Sequence, residues 1–138
     1  MKPSTMTVRV RYAETDQMGV VYHANYFVWF EMGRVECLRR LGFDYKQMEI
    51  ADDCHLPVVE ATCRYKSPAR YDEVLTIETG IVALRSSLIR FSYRLLRVEQ
   101  DKTALLAEAQ TTHVVVDSRM QTRALPEKYA AAIRSQME

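Results

Sequence analysis

Glycine and proline are scarce, four of each in 138 residues, and they sit at joints. The chain has little material for linkers, and it shows no internal repeat or low-complexity tract, so one domain over residues 1–138 is expected. Cysteine is scarce too. Cys37, Cys54 and Cys63 are odd in number and form no CxxC pair. That argues against a disulfide framework and makes a reducing cytoplasm the expected location. The three histidines, His23, His55 and His113, lie far apart without HxxxH or HExxH spacing, so no metal site is expected. No apolar run is long enough to span a bilayer. The first residues, MKPSTMTVRVRY, lack the apolar core of a signal peptide. An excess of either charge is also missing. The 19 Lys and Arg against 18 Asp and Glu leave +1 with His neutral, which gives no reason to expect a nucleic-acid or membrane partner.

Apolar residues make up 48% of the chain, enough for a sizeable core. Residues 6–12 alternate: Met6, Val8, Val10 and Tyr12 point one way, and Thr7, Arg9 and Arg11 the other, as in a half-buried strand. From about Ala24 to Leu41 the period becomes helical. Ala24, Phe27, Val28, Met32, Val35, Leu38 and Leu41 share a face, with Glu31, Arg34, Arg39 and Arg40 on the other. The first half, NYFVWF, is apolar on nearly every side, so this helix is expected to be wrapped. Gly42 is placed to stop it. A loop is expected near EIADDCHLP. Period two then returns in Val59–Lys66, Leu75–Ala83, Ile89–Leu95 and Ala104–Val116, with turns at SPARYDE, RSS and EQDK. Short turns between consecutive strands imply antiparallel pairing. A closing helix is expected over about 126–136, with Pro126 near its start. The economical arrangement is α+β: a curved antiparallel sheet of about five strands wrapped around one long central helix. One helix is too little to cover such a sheet, so a second subunit is expected.

One loop stands out. TDQMGVVYHANY places Asp16, Gly19, His23 and Asn25 just ahead of the helix, and YKSPARYDE follows a later strand. With these motifs the chain resembles hotdog-fold acyl-CoA thioesterases. It is similar to the 4-hydroxybenzoyl-CoA thioesterase group and, more narrowly, to its Tol–Pal-associated relatives. The resemblance spans roughly residues 5–125. It implies a cytoplasmic thioester hydrolase that uses no metal or organic cofactor, coenzyme A entering only with the substrate. It also implies a homodimer or homotetramer with its sites at subunit interfaces. Asp16 matches the family's catalytic carboxylate. His23 matches the position where backbone N–H groups at the helix start polarise the thioester carbonyl. The 4-hydroxybenzoyl enzyme has Tyr where this chain has His23, and the Tol–Pal-associated group has His.

The chemistry suits these residues. Unpaired N–H groups in a first helical turn meet developing negative charge without reorganisation. Asp16 can attack the carbonyl or deprotonate water, and the sequence does not choose between them. A thiol leaving group, with a pKa of about 8.5, departs with little help from an acid. The plain alternative for Asp16 is an N-cap, worth about 1 kcal/mol. Against it, Asp16 lies several residues ahead of the periodic helix, and Gly19 permits a tight approach between them. His23 can equally be a polar residue at a helix start. Asn25 can cap the helix or orient the loop, the cap being the expected role. Glu14 and Thr15 are candidates to support the loop. Tyr22, Tyr26 and Trp29 can line an acyl pocket or simply fill the core. For the coenzyme A phosphates the basic candidates are Arg64, Lys66, Arg70, Arg85, Arg90 and Arg94, each of which could instead be a solvated surface charge. Of these, Arg64, Lys66 and Arg90, with Tyr22, Asn25 and Tyr26, form the expected substrate-binding set. Two other functions compete: a thioesterase acting on acyl-carrier protein, and a non-catalytic acyl-ligand-binding subunit. The second has no use for a carboxylate beside a carbonyl.

Overall fold

The structure, a computed structural model, describes residues 3–137. In chain order it contains β1 (Ser4–Arg9), a 3-10 turn (Tyr12–Glu14), α1 (Ala24–Arg40), α2 (Tyr45–Asp52), β2 (Val58–Tyr65), β3 (Val74–Arg85), β4 (Leu88–Glu99), β5 (Lys102–Val114) and α3 (Glu127–Met137). The five strands form one antiparallel sheet in the order β1-β3-β4-β5-β2. Register shifts at Val58/Glu60, Ile81/Ala83 and Leu95/Leu96 mark irregularities of the kind that bend a sheet. The expected α+β architecture, a five-stranded antiparallel sheet against a long helix, is present.

Four details differ from the sequence reading. Tyr12 does not continue the first strand; it sits in the 3-10 turn, 76% exposed. The chain leaves the sheet at Val10, whose N–H bonds the Glu73 carbonyl, and alternation alone carries no signal for that exit. The stretch before β2 is partly helical: Asp44 caps α2 by accepting the Lys46 N–H at 3.0 Å, and Met48 is its one buried residue. A helix this short presents too small an apolar face for periodicity to reveal. The connection after β2 is no hairpin. Residues 66–73 carry the chain away, and β2 pairs with β5 instead of β3.

The fourth difference is the buried face of α1. Tyr26, Trp29, Phe30, Gly33, Cys37 and Leu38 point inward, while Ala24, Val28 and Met32 lie in solvent. A helix apolar on most sides has no unique stripe, so contact with the sheet decides the rotation. Phe30 stacks on Tyr93 of β4, and Gly33 meets Ile77 and Thr79 of β3. Gly42, at φ +93°, closes α1: its N–H bonds Arg39 and the Phe43 N–H reaches Leu38. The helix packs on β1 and β3, and less on β4. The helix-facing side of β2 is left open.

Candidate active site

Residues 11–23 fold into a compact loop ahead of α1, with Glu14 at its centre. Its side chain is buried. One carboxylate oxygen accepts the Arg11 N–H at 2.8 Å, and the other accepts the Trp29 indole N–H at 2.9 Å. Its carbonyl accepts the Tyr22 N–H and the Asn25 side-chain amide, at 2.9 and 2.8 Å. Glu14 therefore ties the loop to the first two turns of α1. Asn25 does not cap the helix as expected; its amide orients the loop.

Asp16 begins a tight turn. Its N–H bonds the Val20 carbonyl at 2.9 Å and its carbonyl accepts the Gly19 N–H at 3.0 Å. Oδ1 accepts the Met18 N–H at 2.9 Å. Oδ2 has no hydrogen-bond partner among the described residues. Gly19, at φ +78°, supplies the left-handed backbone the turn needs. Asp16 thus caps its own turn and leaves the start of α1 uncapped.

That start is His23, in helical conformation with no side-chain cap. Among the described residues no carbonyl or side chain accepts the His23 or Ala24 N–H, while the next two N–H groups bond Tyr22 and His23. Two main-chain donors are therefore free at the positive end of the helix dipole.

Asp16 and His23 line one cleft of about 310 Å³, with Tyr26, Tyr65, Lys66 and Pro68 among its walls. Tyr26 is buried; burial, opposed by a hydrogen bond with the Ala69 backbone, raises its phenol pKa. Its ring meets Tyr65 at 4.9 Å and Trp29 at 5.5 Å, so it serves both core and cleft. Tyr22 is half exposed, meets the His23 ring at 4.6 Å in a tilted arrangement, and lies outside the cleft lining.

The basic candidates separate. Lys66 lines the cleft and pairs with Glu108 at 3.3 Å. Arg64 lies beside Arg94 and Glu108 on the opposite face of the sheet from α1. Arg90 bonds Thr112 at 3.0 Å. Thr112 stands six positions along β5 from Leu106, whose carbonyl accepts the Lys66 N–H; that is roughly 20 Å of strand. Neither arginine reaches the cleft wall. Ser67 and Pro68 shape the mouth, and Asp72, at φ +69°, makes the turn behind it. Tyr65 opens the YKSPARYDE motif and alternates as a strand residue, but nothing in the sequence assigned it a role in the site. Among the described residues no cluster of His, Cys, Asp and Glu could hold a metal, and no helix is long and apolar enough to cross a membrane.

Asp16, with one unpaired carboxylate oxygen, and His23, at the uncapped start of α1, line one cleft, and the sheet beside them has the hotdog fold of thioester hydrolases. The chain belongs to the thioesterase-like superfamily, whose family profile matches residues 10–133. It is 38% identical over 128 residues to the acyl-CoA thioester hydrolase YbgC of Escherichia coli O6:H1, with 92% of each chain covered. The crystal structure of the hypothetical protein TT1821 from Thermus thermophilus matches with a TM-score of 0.86 at 38% identity, covering 96% of this chain and 98% of that one. 4-Hydroxybenzoyl CoA thioesterase from Pseudomonas sp. strain CBS-3 is similar in fold alone, with a TM-score of 0.87 at 22% identity over 96% of this chain and 99% of that one.

Proposed function

We propose that this protein hydrolyses acyl-CoA thioesters, releasing coenzyme A and a carboxylic acid. One observation carries the reading: the unpaired oxygen of Asp16 shares a cleft with the uncapped start of α1. The His23 and Ala24 N–H groups polarise the thioester carbonyl and hold the oxyanion. Asp16 acts from the other side, as nucleophile or as base toward water. The thiolate departs without an acid partner, so the reaction asks for no metal or organic cofactor. Tyr26 and Tyr65 wall the acyl group, and Lys66, paired with Glu108 at 3.3 Å, would exchange that partner for a coenzyme A phosphate. YbgC, by its name, acts on acyl-CoA thioesters, which favours coenzyme A over carrier-protein esters.

The working unit is a homodimer built on β2. Val58, Ala61, Cys63 and Tyr65 pair with β5 residues of the buried face, yet Val58 is 47% exposed and Tyr65 44%. A second copy would cover this open inner face and pair with the bare strand edge.

The test is an assay of acyl-CoA esters, short, long and aromatic, with Asp16→Asn beside the wild type. Asn retains an oxygen for the Met18 N–H and removes the charge. A fall in kcat of about 10²–10⁴-fold with folding intact is expected. An unchanged rate makes Asp16 a turn residue and sinks the mechanism. Release only from acyl-carrier-protein esters would replace the substrate, and no release from any ester would leave a binding role.

A further inference from the structure

The peptide joining His23 to Ala24 is held from an unexpected direction. Its N–H is one of the two free donors. Its carbonyl accepts two hydrogen bonds: the Tyr26 N–H at 3.2 Å, long for a helical bond, and the Tyr65 hydroxyl at 3.1 Å. Tyr65 lies 42 residues away, at the end of edge strand β2. The other free donor differs. The His23 N–H belongs to the Tyr22–His23 peptide, whose carbonyl accepts the Asn25 N–H at 2.9 Å, and no side chain takes part.

We propose that Tyr65 is a positioning residue of the candidate active site, its hydroxyl holding the His23 carbonyl so that the Ala24 N–H on the same peptide is fixed in direction and strengthened as a donor to the thioester oxygen. The proposal rests on the acyl-CoA hydrolase reading above. Its physics is simple. A peptide is planar and trans, so fixing the C=O direction fixes the N–H direction. A hydrogen bond accepted by the carbonyl also polarises the amide and strengthens its N–H toward the next acceptor.

The surroundings support the role. The Tyr65 ring sits between Tyr26, at 4.9 Å, and His23, at 6.1 Å, both edge-on. Two rings therefore fix where the hydroxyl points. Burial, with the Cys63 thiol beside it, pushes the Tyr65 phenol up to about 12, so it remains a donor throughout the neutral range. Tyr65 also faces the open side of β2. The residue that aims the Ala24 donor thus stands on the strand expected to meet a second copy.

The experiment is Tyr65→Phe, which keeps the ring contacts and deletes only the hydroxyl. Two measurements are made on the same protein. In the free protein the Ala24 amide nitrogen and proton resonances are expected to move, and those of Leu38, deeper in α1, to stay. In the assay kcat is expected to fall about three- to tenfold, the worth of one hydrogen bond, with KM within about twofold. The denaturation midpoint should be nearly unchanged. Unmoved Ala24 resonances, or an unchanged kcat in an active enzyme, overturn the proposal. If KM rises while kcat holds, Tyr65 is a wall of the cleft and the positioning role is also lost. If wild type releases coenzyme A from no ester, the catalytic meaning of the contact falls together with the proposed function, and a moving Ala24 resonance would then show only a structural tether.

Discussion

His113 is fully enclosed between the sheet and the chain entering β2, and its bonds determine its protons. Nδ1 donates to the Leu56 carbonyl at 2.9 Å, so Nε2 is the acceptor, taking the Thr111 hydroxyl at 2.8 Å. Thr111 accepts from Tyr93 at 2.6 Å, and Tyr93 accepts from Arg34 of α1 at 3.0 Å. The chain of donors ends on a neutral imidazole. Burial pushes the His113 pKa down to about 4 from its ordinary 6.5; the Leu56 contact opposes this, and the Arg34 charge adds to it. Between those two values the unfolded chain binds the proton and the folded one does not, so stability falls as pH drops from about 6.5 toward 4. The loss is expected to reach about 3 kcal/mol. Urea midpoints at pH 7 and pH 4.5 check this, and His113→Gln should flatten the difference. A slope unchanged by that substitution would place the acid sensitivity elsewhere.

At the scale of the elements, the contact of α1 with β3 governs the rest. A methyl group on Gly33 would stand 2.6 Å from the Thr79 hydroxyl oxygen and 2.9 Å from a methyl of Ile77. Both neighbours are buried and have nowhere to go. Gly33→Ala would gain about 1 kcal/mol of helix propensity, but overpacking costs typically 1–3 kcal/mol. Net destabilisation is therefore expected, read as a lower thermal midpoint. A raised midpoint would mean that α1 does not sit this close. The same contact shows what was legible. That a long helix starts near Ala24 and ends at Gly42 is written in periodicity and in one glycine. Which side of it faces the sheet is not, because NYFVWF offers apolar groups all round. The loop motif pointed to Asp16 and His23 through resemblance. The separation of Arg64 and Arg90 from the cleft depends on sheet register and face, which their local sequence does not state.

For the whole molecule, the open flank of β2 is the deciding feature. α1 covers β1 and β3, so Val58, Val59 and Tyr65 on the far edge are exposed, as are Val28 and Met32 on α1. A native edge strand with this much bare apolar surface is normally covered. Sedimentation is expected to give twice the 16.0 kDa chain mass. Ala61→Glu, which puts a charge on the inner face of β2 where the lone chain has room for it, should shift the protein toward monomer. A wild type that sediments at the single-chain mass would remove the dimer from the mechanism.

The local pattern of residues by itself, though not showing α2 or the 3-10 turn, determined the long helix, the closing helix, most of each strand, the antiparallel character of the sheet, and the loop that carries Asp16. These follow from side-chain period, from glycine and proline at joints, and from short-range spacing, all of which act within a few residues. Only the tertiary structure decided that β2 crosses to pair with β5, that Glu14 ties the loop to Trp29 and Asn25, and that Tyr65 reaches the His23 carbonyl. Those contacts join residues distant in the chain, and their energies depend on geometry that no local pattern encodes.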